Sequence, residues 1–213
     1  MQAIDHAAVL RTVNEKRDRQ AGFTLVELMV TALIVLVIGS AVFTLLSEVQ
    51  NSAQYRAEVQ LVLNNARIAL QTAERHIREA GNDPFDCGLA GVEIVSTSEV
   101  RIRSDRTGSS GTRNPNKGDP DGDIDDSGEN ITIRHNRAKR SLEIIHDGGP
   151  AQIVASNISG FSMRYFNAEG HATTSGHEVH TIALTVAGSA SRPHPRTGRV
   201  FGVELTTSIR VLT

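Results

Sequence analysis

A single carboxylate, that of Glu27, lies near the start of a long apolar run. The run, FTLVELMVTALIVLVIGSAVFTLL from Phe23 to Leu46, contains no other charged residue. An isolated carboxylate at the centre of a membrane helix costs roughly 2.5 to 3.5 kcal/mol, and less near the interface, so such a charge needs a partner. Glu27 is therefore a candidate for a contact with a cationic group. Snorkelling of its side chain to the lipid headgroups is the alternative.

A second group of carboxylates lies in the stretch DPDGDIDDSGEN, which has six acidic residues and no basic one. Carboxylates at alternate positions can converge on a hard cation such as Ca²⁺, which takes roughly six to eight oxygen ligands. Ile124 stands where an EF-hand needs glycine and Asn130 where it needs glutamate, so a looser calcium loop is predicted. A solvated acidic loop is the alternative. The predicted donors are Asp119, Asp121, Asp123, Asp125 and Glu129.

The other residues whose types could bind a metal or catalyse a reaction favour neither a zinc site nor an enzyme. His171, His177 and His180 match no strong zinc-ligand spacing and are predicted to lie in an exposed turn. Serine, histidine and aspartate occur without a nucleophile elbow, so the chain is not predicted to be an enzyme. Cys87 is the single cysteine, which excludes an intrachain disulfide, and it is predicted to be a small packed residue.

The charge of the chain argues against nucleic acid as a partner. Its formal net charge is −2, and −3 without the first 22 residues. Because non-specific affinity for nucleic acid comes mainly from neutralising phosphates, a mildly acidic body binds poorly. The basic group RHNRAKR, Arg134 to Arg140, is predicted to be a solvated hairpin tip, and contact with DNA or anionic lipid is the alternative.

The element that carries Glu27 is predicted to be one transmembrane helix, residues 23–46. Its length of about 36 Å is enough to cross a hydrocarbon core of about 30 Å with some tilt. Basic residues precede the run, so the N-terminus is predicted to be cytoplasmic and the remainder to lie outside. A secretory signal would have a shorter apolar run with a small-residue cleavage site after it, whereas here Gly22 lies before the run. The preceding bases are Arg11, Lys16, Arg17 and Arg19.

Residues 47–81 are predicted to continue this helix as an amphipathic segment. Gly81 and Pro84 supply the stop signal. An apolar stripe along one face must be buried, and a sheet is the expected cover, since a coiled coil with alanine at half its seam positions is weak. The predicted stripe is Leu63, Ala66, Leu70, Ala73, Ile77 and Ala80.

Residues 82–213 change to the period of two that is typical of β-strands. About six or seven strands in series are predicted, including GVEIVST, EVRIRS, NITIRHN, SLEIIHD, SGFSMRYF, HTIALTVAG and GVELTTSIRVLT. SRPHPRTG is predicted to be a loop because its prolines cannot donate to a ladder. The fold class is therefore α+β, with a long N-terminal helix packed on a C-terminal antiparallel sheet.

The segment GFTLVELMV resembles the prepilin signature of type IV pilins and type II secretion pseudopilins. The resemblance implies a pilin-like fold, cleavage between Gly22 and Phe23 by a prepilin peptidase, and N-methylation of the new amine of Phe23. It also implies that Glu27 pairs with the cationic amine of a neighbouring subunit in a filament. The implied leader, residues 1–22, is longer than is usual in the family.

The stretches DPDGDIDDSGENITIRHN and VHTIALTVAG, with the ending GVELTTSIRVLT, resemble minor pilins of the PilW kind. The disulfide-bounded loop common in major pilins is impossible with Cys87 alone, which favours a minor subunit. A minor pseudopilin of the J type in a type II secretion system is an alternative. A membrane-anchored ligand-binding module or enzyme is an alternative of another class.

The resemblance also implies the cellular setting. The chain is expected in the bacterial inner membrane as a single-pass protein, with residues 82–213 forming a periplasmic pilin head, and later in a pilus at the cell surface. Expected partners are major and minor pilin subunits, the prepilin peptidase, the inner-membrane assembly platform and the lipid bilayer. The implied role is pilus initiation or assembly, and thereby adhesion, motility or DNA uptake.

Overall fold

The computed structural model describes residues 22–108 and 118–211. Residues 1–21 of the predicted leader lie outside the described residues. The chain separates into two compact units, Met1–Asn51 and Ser52–Thr213. The second unit is called the head below, and it therefore begins earlier in the chain than the predicted pilin head, residues 82–213.

One long helix, α1, runs from Leu25 to Arg78 and contributes residues to both units. Its last turn tightens, since the N–H groups of Glu79 and Ala80 donate to carbonyls three residues back at 3.1 and 3.2 Å. Gly81 follows in the left-handed region with φ of 77°, which is a typical helix stop. The predicted stop at Gly81 is confirmed, and α1 covers residues 25–78 of the two segments predicted to be helical, residues 23–46 and 47–81.

The apolar half of α1, residues 25–46, buries none of its large side chains. Between Phe23 and Leu46 every large apolar side chain is exposed, from 49% at Val42 to 79% at Phe23. Among the described residues, α1 is the one helix long and apolar enough to cross a membrane. This surface requires lipid or other apolar helices around it.

The head contains two antiparallel sheets. The first has five strands in the order β1-β2-β3-β4-β5 and the second has three, β6-β7-β8. A short 3-10 helix, Gly176–Glu178, precedes β7. The strands are β1 Val92–Ser96, β2 Glu99–Arg103, β3 Asn130–Asn136, β4 Ser141–His146, β5 Gln152–Ser156, β6 Ile158–Phe166, β7 Thr181–Pro193 and β8 Val200–Arg210. The α+β class with antiparallel pairing is confirmed.

One hydrophobic core joins α1 to both sheets. Small side chains bring the helix close to the strands, and a Cβ built on Gly188 of β7 would lie 3.0 Å from Val62 of α1. Four residues of the predicted stripe, Ala66, Ala73, Ile77 and Ala80, are buried. Leu63 and Leu70 lie half-buried at the margin of this face, because the smaller Val62 and Ala69 allow the closer approach. The buried residues of α1 are Val62, Ala66, Ala69, Ala73, His76 and Ile77.

Three local features differ from the sequence-based expectation. Strand β5 was not predicted, because it is a short edge strand in which Ile153 remains 56% exposed. Strand β7 continues past its last pair with β6, at Gly188, and extends to Pro193, which pairs with Val200 of β8. The loop predicted for SRPHPRTG is therefore shorter than expected. Cys87 is exposed and is not the packed residue that was predicted.

A buried histidine lies at the end of α1. The side chain of His76 is 9% exposed, and its Nδ1 lies 3.7 Å from Oε2 of Glu79 but has no hydrogen-bond partner among the described residues. The ring of His146 on β4 lies 6.3 Å away. Burial lowers the pKa of His76; Glu79 opposes this shift, and Arg75, His146 and Arg106 add to it.

We expect the head to lose stability in mild acid because of His76. Since folding lowers the pKa of this group, its neutral form is favoured, and the stability it contributes is present above about pH 6.5 and is lost as the pH falls below that value. Chemical denaturation should show a smaller acid-induced loss in His76→Phe than in the parent. His171→Phe, at an exposed position, is the control. An unchanged pH slope in His76→Phe would contradict this role.

Candidate functional site

The N-terminal end of α1 is organised by Thr24. Its Oγ1 accepts a hydrogen bond from the backbone N–H of Glu27 at 3.2 Å, and its carbonyl accepts one from Leu28 at 3.1 Å. Thr24 is therefore the N-cap, and Glu27 is the third residue of the helix. An acidic side chain in this first turn is favoured by the positive end of the helix dipole.

The polar side chains of the apolar half are satisfied within the helix. The hydroxyl groups donate to carbonyls three or four residues back, over distances of 2.6 to 3.0 Å. In an apolar medium such internal bonds remove the cost of an unpaired donor. The carboxylate of Glu27 is thus the one charged group that this surface presents. The hydroxyl donors are Thr31, Ser40, Thr44 and Ser47.

The acidic loop, residues 118–130, is tied to the head by two buried carboxylates. Asp105, fully buried, accepts hydrogen bonds from the backbone N–H groups of Asp121 at 3.2 Å and Gly122 at 2.8 Å. Glu129, 1% exposed, accepts from the N–H groups of Arg106 at 2.7 Å and Thr107 at 2.8 Å. Charged acceptors of this kind form strong hydrogen bonds, so the loop has a defined base.

Two further contacts close this loop. The carboxylate of Asp147 accepts from the N–H groups of Gly128 at 2.8 Å and Asn130 at 3.3 Å. At the other end, Gly118 donates to the carbonyl of Gly108 at 2.8 Å. A Cβ at Gly108 would lie 2.3 Å from the carbonyl oxygen of Asp119, so this crossing requires glycine.

The structure brings three acidic side chains of the loop together. One oxygen from each of Asp121, Asp123 and Asp126 lies within 4.8 Å of the others, which is the one such group of metal-binding side chains in the described parts of the chain. The Oδ2 atom of Asp126 is buried and has no hydrogen-bond partner among the described residues. The hydrogen bond and negative charge of Asp123 raise the pKa of Asp125.

The structure brings only some of the predicted calcium donors together. Asp121 and Asp123 belong to this acidic group, and Asp126 is its third member. Asp119 and Asp125 are exposed and lie outside the group. Glu129 points into the head, where its oxygens are engaged by backbone N–H groups, including that of Asp126 at 3.3 Å.

The other polar residues that the sequence singled out have structural contacts. His171 and His177 are exposed, as predicted for a turn, while His180 accepts a hydrogen bond from Nε of Arg210 at 2.9 Å. In the basic group, Arg134 donates to Glu143 at 2.9 and 3.0 Å, and Arg140 donates to the carbonyl of Ser189 at 2.7 Å. This group is therefore not simply solvated.

Glu143, on β4, is the buried ion-pair partner of the basic group. Burial alone would raise the pKa of its carboxyl, but hydrogen bonds from Arg134 and Asn136, with the charges of Arg134 and Lys139, lower it overall. The carboxylate is 1% exposed yet covered mainly by these side chains. It therefore holds the β3–β4 hairpin together as an ion pair.

Comparison with known proteins identifies the N-terminal segment. The family model for the prokaryotic N-terminal methylation motif matches residues 17–46. A search among curated proteins returned no match. The long apolar helix packed on antiparallel sheets is consistent with a pilin-like fold. The chain carries the prepilin-type cleavage and methylation signal of type IV pilin-like proteins.

This motif has direct consequences for the kind of protein. It implies processing by a prepilin peptidase and assembly with other pilin-type subunits. Together with the single apolar helix, it points to a single-pass membrane-anchored protein of structural type.

Several residues of these sites were missed from the sequence. Thr24 was detectable, since Thr-x-x-Glu is the capping-box pattern. Asp105 and Asp147 could not be detected in this way, because their backbone partners lie 16 to 19 residues away in sequence. No local pattern records such a contact.

We expect Glu129→Gln to loosen the acidic loop. A glutamine oxygen can still accept from Arg106 and Thr107, but its amide group would then face the N–H of Asp126, donor against donor. The expected loss in free energy of unfolding is about 1 to 3 kcal/mol. Denaturant unfolding of the full chain in detergent measures it, with Glu169→Gln at an exposed turn as control. Equal stability of the two variants would contradict the anchoring role.

Proposed function

We propose that the chain is a structural minor subunit of a type IV pilus, which is cleaved between Gly22 and Phe23 and methylated on the amine of Phe23. The observation that carries this proposal is the methylation motif at residues 17–46 on a helix whose apolar half is exposed throughout. Packing of such helices in a filament core would cover that surface. The proposed role is initiation or assembly of the filament, and thereby adhesion, motility or DNA uptake.

The electrostatics of Glu27 support assembly through its carboxylate. Cleavage would create a cationic amine at Phe23, four residues before Glu27. In a filament core the carboxylate of one subunit would neutralise the amine of a neighbour. A buried charge that loses its partner costs about 3 to 5 kcal/mol, so the pairing would favour correctly staggered subunits.

The proposed setting follows from the same features. The protein would reside in the bacterial inner membrane with its head in the periplasm, and then move into the pilus. Its partners there would be major and minor pilins, the prepilin peptidase and the assembly platform.

The mass of the mature N-terminus tests this proposal. Protein extracted from membranes that contain the peptidase should begin at a methylated Phe23, and protein from cells that lack the peptidase should retain the leader. A functional chain that keeps residues 1–22 would overturn the proposal and favour a membrane-anchored binding module or enzyme.

We expect Glu27→Ala to leave membrane insertion and cleavage intact but to reduce incorporation into filaments, because the amine of a neighbour loses its carboxylate. Immunodetection of the subunit in sheared filaments measures this. Glu74→Ala, which removes a carboxylate farther along the same helix, is the matched control and should incorporate normally. Normal incorporation of Glu27→Ala would contradict the pairing.

We also propose that the acidic loop binds calcium. Two ligands on opposite sides of Ca²⁺ lie up to about 5.2 Å apart, so oxygens within 4.8 Å of one another can share one ion. The buried, unpartnered Oδ2 of Asp126 offers an additional ligand atom. Asp121, Asp123 and Asp126 are the proposed core of the site. Asp119 and Asp125 stay predicted as further donors from the same loop, and Glu129, predicted as a donor, would instead anchor the loop through its bonds to backbone N–H groups.

Calcium should raise the melting temperature of the full chain and slow proteolysis of residues 118–130. A ligand at about 100 times its dissociation constant adds about 2.7 kcal/mol of stability, which corresponds to a shift of about 5 to 11 °C in the melting temperature. Asp126→Asn should abolish the shift, whereas Glu169→Gln should keep it. If calcium changes neither melting nor proteolysis, the loop is a solvated acidic segment and the proposal fails.

A further inference from the structure

The tip of the β7–β8 hairpin, residues 191–199, is a basic surface that the proposed function does not use. Its sequence is SRPHPRTGR, with three exposed arginines, Arg192, Arg196 and Arg199, and no acidic residue. Val200 follows directly and is 55% exposed. An apolar side chain beside arginines suits the boundary between water and a membrane.

The tip has a defined shape because it is bonded internally. The backbone N–H groups of Arg196 and Thr197 donate to Nδ1 of His194 at 3.1 and 3.2 Å. His194 and Arg199 are joined by a backbone hydrogen bond of 2.8 Å, and Gly198 adopts φ of 66° to close the turn. The three exposed arginines therefore lie on or beside an ordered turn.

The tip is also fixed to α1 within the head. The ring of His194 lies edge-on to Tyr55 with the centroids 4.7 Å apart. Oε1 of Glu58 accepts hydrogen bonds from the backbone N–H groups of Ser191 at 2.6 Å and Arg192 at 3.2 Å. With the charge of Glu58 included, the tip and its anchor carry a net charge of +2.

The anchor of the tip is close in sequence to the apolar segment. Tyr55 follows Leu46, the last residue of the apolar run, by nine residues of the same helix. Nine residues of α-helix span about 14 Å. Chain connectivity therefore limits how far the anchor of the tip can lie from the end of the apolar run.

We propose that the β7–β8 hairpin tip binds the headgroups of anionic phospholipids on the head's side of the membrane. Each arginine near an anionic surface raises the binding constant about fivefold, so three together raise it on the order of 100-fold. The contact would hold the head against the membrane before the subunit enters a filament. The inference rests on the membrane anchoring in the proposed function.

The test places a fluorescent label on the tip of the full chain in lipid nanodiscs. A Cys87→Ser background carries Thr197→Cys for labelling, and the lipids carry a quencher at the headgroup. Quenching should be stronger in a mixture of phosphatidylcholine and phosphatidylglycerol than in phosphatidylcholine alone, and salt should weaken it. Arg192→Gln, Arg196→Gln and Arg199→Gln together should lower the docking equilibrium on the order of 100-fold.

The matched control removes three exposed arginines elsewhere on the head, Arg67, Arg137 and Arg164, and should keep the quenching. Equal quenching in both lipid compositions, or in the parent and the tip variant, would overturn the proposal. A tip variant that keeps the lipid response but fails to join filaments would assign the tip to a protein contact instead. Co-elution of chain and nanodiscs reports insertion separately, so failed insertion would overturn the anchoring together with this proposal.

Discussion

A single helix has to satisfy two different environments, and the rest of the structure depends on this constraint. In its first half, α1 is apolar on every side and leaves its large side chains exposed, while in the head it is apolar along one face. The first pattern needs an apolar surrounding, and the second needs a layer of protein over that face. The two sheets supply that layer through alanines that let strands approach the helix closely.

Carboxylates organise the loops that connect the strands. Asp105 and Asp147 accept hydrogen bonds from backbone N–H groups of the acidic loop, and Glu129 within the loop accepts those of Arg106 and Thr107. Glu143 accepts side-chain donors on the neighbouring hairpin. A small domain with one cysteine has no disulfide for this purpose. Charge-assisted hydrogen bonds take that place here, and they leave the remaining acids of the loop close enough together to repel one another.

The placement of charge on ordered backbone recurs at two other places in the chain. Thr24 caps the helix and Glu27 occupies its first turn, where the helix dipole favours a negative charge. The motif to which they belong directs processing, which would supply the positive partner. At the second of these, arginines stand on a turn held by His194 and Glu58, so their charge is presented at a fixed place near the start of the head.

The sequence by itself determined the features that depend on neighbours along the chain. The motif at residues 17–46, the apolar span, the stop at Gly81 and most strands follow from local composition and period, and so they could be predicted. Only the tertiary structure decided that Val62 and Ala69 are buried more deeply than Leu63 and Leu70. It also decided that β5 joins the sheet edge and that β7 continues to Pro193. It likewise decided that Asp126 joins Asp121 and Asp123, while Glu129 turns inward to backbone donors. The physical reason is that packing distances and hydrogen-bond partners come from segments far apart in sequence, where no local pattern carries the information.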